Sequence, residues 1–160
     1  AGLDTGDMLR IGTEPIRADD TSAVLQDRLA ALGANLIVQA LTDASRGGLS
    51  RMPQPAEGAT YANKLTKAEG AIDWRRPAAE IERRLRAFDP QPGCYVDLEG
   101  HTVKIWRAQV SAGFGAAPGK MLIGAEEIRV ACGDGQALDL IELQRSGGRR
   151  VAVAAFLASR

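Results

Sequence analysis

Leu25, Leu29, Leu32, Leu36, Ile37, Ala40 and Leu41 recur at three- and four-residue spacing, with Gln26, Asp27 and Arg28 off the stripe. That period is one face of an α-helix. Asp19, Asp20, Thr21 and Ser22 supply capping oxygens and negative charge at its start, and Gly47-Gly48 follow Arg46 as its stop. Ahead of it, Met8, Leu9, Ile11 and Ile16 predict a short strand over Met8 to Ile16, bounded by Pro15. The helix is expected to lay its apolar face on a sheet. One strand and one helix cannot enclose a core, because a βαβ unit needs parallel neighbours to cover the apolar face. Residues 1–46 therefore read as the end of a larger α/β domain.

Residues 47–60 carry Gly47, Gly48, Pro53, Pro55 and Gly58 and read as a surface linker. Thr66-Lys67-Ala68-Glu69 has capping-box spacing and predicts a helical turn before Asp73-Trp74. Pro77 then suits the first position of a helix with Ile81, Leu85 and Phe88 on one face, stopped by Pro90 and Pro92. Beyond Cys94 the period changes to two. Strands are expected over 95–98, 102–110, 121–123, 128–131 and 137–143, with Trp106 joining the apolar positions only after a one-residue slip. Glu99-Gly100 turns the first pair, Gly133-Asp134-Gly135 turns the last, and 151–159 reads as a short apolar helix. Five short strands with small helices over 61–160 suggest a compact open β-barrel of the oligonucleotide-binding (OB) type, so the fold class is α+β.

No apolar run in the 160 residues approaches the roughly 18 that a membrane span needs. Residues 1–10 lack the pattern of a secretory signal, so a cytoplasmic protein is expected, with no membrane partner. Cys94 and Cys132 are too few for a disulfide framework, and no Cys or His stands at metal-ligand spacing, so no metal is expected. His101, the only histidine, sits beside Gly100 as a hairpin flank. Twenty Lys plus Arg balance twenty Asp plus Glu, so the total charge favours no particular partner. Its distribution is less even, because Arg clusters at Arg75-Arg76, at Arg83-Arg84-Arg86 and at Arg145, Arg149 and Arg150. Guanidinium groups suit bidentate contact to phosphate, and equally suit solvated helix and loop faces. Trp74 and Trp106 fit either base stacking or a buried core.

Gly2-Leu3-Asp4-Thr5-Gly6-Asp7-Met8 is a tight polar stretch that presents carboxylates, or an ordinary turn. Asp-Thr-Gly also marks aspartic proteases, but no apolar strand precedes Asp4 and Asp7 follows Gly6 in place of a small residue. The same stretch resembles the segment that ends the catalytic half of the methionyl-tRNA formyltransferase family. So do Tyr61 to Glu69, Ile72-Asp73-Trp74, Arg86 to Pro92, Val103-Lys104-Ile105-Trp106, Pro118-Gly119 and Cys132 to Gly135, all in the family's order.

The resemblance implies the tail of a Rossmann-like formyltransferase domain in 1–46, a linker in 47–60, and an OB-like domain that contacts tRNA in 61–160. It implies transfer of a formyl group from 10-formyltetrahydrofolate to the amino group of methionyl initiator tRNA. Such acyl transfer passes through a tetrahedral oxyanion and needs protons moved at nitrogen. In the family an Asn, a His and an Asp act together; the Asp matches Asp4, with Gly2, Leu3 and Thr5 shaping the loop beside the folate. The Asn and His belong to a segment before Asp4, so the chain alone is expected to be inactive, a fragment and a monomer. Candidate RNA contacts are Arg75, Arg76, Lys104, Arg107, Arg145, Arg149 and Arg150. Alternatives are a related sugar-nucleotide formyltransferase or formyltetrahydrofolate dehydrogenase, or a stand-alone OB-type RNA-binding module.

Overall fold

The capping oxygens and the apolar period produce the helix they predict. In the computed structural model, which describes residues 5–98 and 100–159, α1 runs over Ser22–Ser45. The Thr21 hydroxyl accepts from Val24 N–H at 3.4 Å, and Gly47, at φ 71°, turns the chain out of the last turn. Two compact units divide between Lys64 and Leu65.

In the first unit Arg28 gathers the residues ahead of α1. Its Nε donates to Glu14 at 2.5 Å, both terminal nitrogens donate to Asp20 at 2.6 Å, and one reaches Pro15 O at 3.1 Å. That pairing, with the Arg17 amide, holds the Asp20 carboxyl well below the ordinary carboxylate range. The strand expected over Met8 to Ile16 is corrected: only Met8 pairs, exchanging backbone bonds with Met52 at 2.8 and 2.9 Å. Alternation gives a segment a strand-like face, but a ladder requires a neighbour to satisfy its N–H and C=O groups, and among the described residues only Met52 offers one. Gly12 instead lies against Leu32 and Leu36 of α1. Residues 47–60 return to the same unit, where Gln54 also donates to Gly6 O at 2.7 Å. Leu29, Ile37, Val38 and Leu41 remain exposed.

The second unit is a curled antiparallel sheet with helices packed against its apolar face. Its strands are β1 (Cys94–Leu98), β2 (His101–Ser111), β3 (Met121–Ile123), β4 (Ile128–Ala131), β5 (Ala137–Arg145) and β6 (Val151–Ala152). Their order is β1-β2-β5-β4-β3, with β6 added on β5. The helix expected over 151–159 is shorter: Val151 and Ala152 pair with Leu143 and Glu142, and only Val153–Ala158 forms a helix, α3. Glu99 of the expected first turn lies outside the described residues; Gly100 has φ 80°, a conformation suited to glycine.

α2 spans Ala78–Ala87 and buries Ala78, Ile81 and Leu85, with Phe88 at its end. They meet Val96, Val103, Ile105, Ile128, Val130, Leu138, Leu140 and Leu143 from the sheet and Phe156 from α3 in one apolar cluster. The slip at Trp106 is a β-bulge: Ile105 pairs with Leu143 and Arg107 with Glu142, leaving Trp106 unmatched. A second irregularity leaves Ile141 unmatched on β5. Alternation alone places Trp106 on the Lys104 side, away from Val103 and Ile105, and the irregularity that follows returns Ala108 and Val110 to the apolar face.

Thr66 and Glu69 form the expected capping box, Thr66 N–H donating to the Glu69 carboxylate at 2.8 Å ahead of a 3-10 turn at Lys67–Gly70. Pro77, expected inside α2, stands just before it at ψ 143° and offers no side-chain acceptor. Asp134 supplies the missing cap: one oxygen accepts from Ala78 N–H at 3.2 Å and the other from Gln136 N–H at 3.2 Å. Beside it, Gly133 donates to Arg76 O at 3.1 Å, and any side chain there would overlap the Arg75 backbone. The β4–β5 turn therefore also clamps the start of α2. Asp134→Ala is expected to cost about 1 kcal/mol, the usual worth of an N-cap. Urea unfolding followed by tryptophan fluorescence measures it, and an unchanged midpoint would show that the cap contributes nothing.

Candidate nucleic-acid interface

Bulging of β2 collects polar groups around Trp106, which is 4% exposed yet lies outside the apolar cluster. Its indole N–H donates to Gln144 Oε1 at 2.8 Å, and the Gln144 amide donates to Gly148 O at 2.6 Å. Lys104 Nζ lies 5.0 Å from the centroid of the ring and donates to Pro92 O at 3.2 Å. The Arg150 guanidinium stacks on the same ring at 3.5 Å and forks onto Asp89 at 2.7 and 3.0 Å. Asp89 is 8% exposed, whereas the Arg150 side chain keeps about a third of its surface in solvent, so the pair is desolvated on the carboxylate side only.

Arg145, in the same region, covers the Phe156 ring at 4.1 Å and donates to Phe156 O at 3.3 Å. The loop between β5 and β6 turns through Gly147, at φ 71°, and closes by Gly148 N–H donating to Arg145 O at 3.0 Å. Arg149 is exposed on that loop, and Arg107 is exposed at the bulge opposite Glu142. The structure thus brings Lys104, Arg145, Arg149 and Arg150 together around the end of β5.

Arg75 and Arg76 are placed elsewhere, on the segment leading to α2. Arg75 forks onto Asp73 at 2.8 and 2.9 Å, and Arg76 pairs with Glu80 at 2.7 Å. The Arg75 fork and its backbone amide lower the Asp73 carboxyl from 3.8 to about 2. A lowered value means that the pair persists as pH falls past the ordinary carboxylate range and is lost only near pH 2. NMR titration of the Asp73 carboxyl should therefore show a midpoint near 2, which Arg75→Ala moves back towards 3.8. A midpoint already at the ordinary value in the unmodified protein would refute the pairing in solution.

Gly2, Leu3 and Asp4 lie outside the described residues, and Thr5 is exposed. His101 is exposed at the first position of β2, opposite Leu98. Trp74 is partly buried, packing against the apolar cluster and beside Gly119, and Trp106 is buried, so both tryptophans take part in the packing of the unit. Burial pushes the Cys94 and Cys132 thiols up to about 11, which leaves them protonated at neutral pH. Among the described residues no His, Cys, Asp and Glu cluster suits a metal ion, and no helix is long and apolar enough to cross a membrane. Asp89 and Gln144 brace this surface, and neither is singled out as a site residue by the sequence. Asp89 and Arg150 are 61 positions apart, and no local period couples them.

Residues 64–160 match the family described as "Formyl transferase, C-terminal domain". The chain is 62% identical over 160 residues to the methionyl-tRNA formyltransferase of Methylibium petroleiphilum, covering 99% of this chain and 50% of that protein. It is 52% identical over 161 residues to that of Acidovorax ebreus, covering 98% and 50%. The chain spans about half the length of the curated relatives it matches. Among solved structures, HypX from Aquifex aeolicus in complex with tetrahydrofolic acid matches with a TM-score of 0.73 at 21% identity, over 98% of this chain and 28% of that one. The N-formyltransferase from Helicobacter canadensis in complex with folinic acid and dTDP-3-aminofucose matches at 0.65 and 17%, over 87% and 51%. At such identities the likeness is one of fold.

Proposed function

Because the chain belongs to the formyltransferase C-terminal domain family, we propose that it is the later half of a methionyl-tRNA formyltransferase. The reaction is transfer of the formyl group of 10-formyltetrahydrofolate to the amino group of methionyl initiator tRNA, a step in preparing translation initiation. The observation that carries this reading is the 62% identity over 99% of the chain with an enzyme of that name. The solved HypX structure that shares the fold holds tetrahydrofolic acid, which supports a folate as the one-carbon donor.

In this reading the attacking amine adds to the formyl carbon, the protein stabilises the oxyanion and accepts the amine's proton, and the intermediate collapses by breaking the bond between the formyl carbon and N10, which takes up a proton as tetrahydrofolate leaves. Asp4 is the carboxylate that orients and charge-stabilises a histidine supplied by the preceding part of the enzyme, or relays the proton. Gly2, Leu3 and Thr5 shape the loop beside the folate. The first unit is then the tail of the Rossmann-like catalytic domain, and the exposed Leu29, Ile37, Val38 and Leu41 on α1 support a covering sheet from the rest of that domain. The second unit is an OB-like module that steadies the tRNA. Its contacts are drawn from Arg75, Arg76, Lys104, Arg107, Arg145, Arg149 and Arg150, and they position the RNA without reading its sequence. A cytoplasmic monomer fits this role.

Fold alone does not choose the amine acceptor, since the Helicobacter structure holds an amino-sugar nucleotide. The test is the intact enzyme with 10-formyltetrahydrofolate, offered methionyl initiator tRNA or dTDP-3-aminofucose. Formylation of the charged tRNA alone is the expected result; formylation of the sugar nucleotide instead would sink the proposal.

A further inference from the structure

The loop joining β5 to β6 carries three arginines in six positions, from Arg145 to Arg150, and the structure gives them unequal work. Arg150 is held on both sides: Asp89 forks its guanidinium at 2.7 and 3.0 Å, and the Trp106 ring lies 3.5 Å below it. Arg145 is spread over Phe156 and bonded to Phe156 O, the carbonyl of a buried residue on α3. Lys104 also lies over the Trp106 ring and bonds to Pro92 O. Turning any of these three towards a phosphate would break contacts of the fold, in Arg150's case both bonds to the nearly buried Asp89 carboxylate.

Arg149 differs. It is exposed, and no hydrogen bond, ion pair or ring contact engages it among the described residues. It stands between Gly148, whose carbonyl is tied to Gln144 and whose amide is tied to Arg145, and the anchored Arg150. Both neighbours are fixed, so its backbone is aimed while its guanidinium remains available. A planar fork with no internal partner, on a braced loop, matches the bidentate geometry of a phosphodiester.

We propose that Arg149 is the residue by which this loop contacts the RNA backbone, and that Arg145, Arg150 and Lys104 are positioning residues that set it without touching RNA. The inference rests on the reading of a charged tRNA as the substrate, and it divides a cluster that sequence alone treats as equivalent.

The experiment measures the dissociation constant of the intact enzyme for methionyl initiator tRNA across a salt series. The variants are Arg149→Gln, Arg149→Lys, Arg150→Gln and the Arg149→Gln/Arg150→Gln double, each with its melting temperature. Each phosphate contact contributes about 0.7–0.9 to the slope of log affinity against log salt. Arg149→Gln is expected to lower the slope by one such step and to weaken binding roughly tenfold with an unchanged melting temperature. Arg149→Lys should retain the slope. Arg150→Gln should lower the melting temperature, and the double variant should lose one step of slope, as Arg149→Gln does. A slope unchanged by Arg149→Gln overturns the proposal whether or not the Arg150 variant folds; a loss of two steps in the double variant overturns the division of roles. If the unmodified enzyme neither binds nor formylates the charged tRNA, the functional reading itself fails. If it does both and Arg149→Gln binds as it does, only this inference fails.

Discussion

Replacing Phe156 by Ala is expected to destabilise the second unit by about 3–5 kcal/mol, the range for removing a fully buried aromatic ring. Phe156 is 1% exposed and sits on α3, a helix of six residues that is too short to persist without its packing. Its ring is also the surface on which Arg145 lies, so truncation opens a void in the apolar cluster and leaves Arg145 with only its bond to the carbonyl of residue 156. Against a typical domain stability of about 5–15 kcal/mol, such a loss leaves the unit marginal. The measurement is direct, because Trp74 and Trp106 both belong to the second unit and their emission in a urea titration reports its unfolding alone. A change below about 1 kcal/mol would mean that α3 is peripheral to the core.

Asp4→Ala in the intact enzyme should lower kcat for formyl transfer by about 10²–10⁴-fold, the range for removing a group that manages a proton in the transition state. The KM for methionyl-tRNA and the melting temperature should hardly move, because the proposed role concerns charge at the reacting nitrogen rather than binding or folding. Asp4→Asn separates the possibilities further. It keeps the shape and removes the negative charge and the basic oxygen, so a loss as large as that of the Ala variant assigns the effect to the ionised carboxylate rather than to its bulk. Retained activity in either variant removes Asp4 from the mechanism.

What the sequence made legible was whatever repeats locally. The three- and four-residue period drew α1 and α2, and alternation drew the strands; the slip expected at Trp106 is present as the bulge, but Trp106 does not join the apolar cluster as expected. Thr66 and Glu69 announced their own cap because both partners lie within one turn. The failures share one cause. Met8 to Ile16 alternates like a strand but finds only Met52, and Val151–Ala152 joins a sheet because β5 has a free edge nearby. The cap that Asp134 gives α2 spans 56 positions, and the pair of Asp89 with Arg150 spans 61. Such pairings are set by topology and leave no period. The cluster at Arg145, Arg149 and Arg150 was visible in composition, whereas the unequal use of its members required the coordinates. The role given to Asp4 rests on resemblance alone, and Asp4 lies outside the described residues.

Cys94 and Cys132 lie in the apolar cluster, from a strand at one edge of the sheet and from the end of β4, with thiols that ionise only near pH 11. An alkylating reagent at neutral pH therefore meets almost no thiolate and no accessible sulfur until the sheet parts from α2. The rate at which each sulfur is consumed becomes a clock for that opening. Because the two sulfurs lie on different strands, comparing their rates distinguishes a sheet that opens from one side from a sheet that opens as a whole.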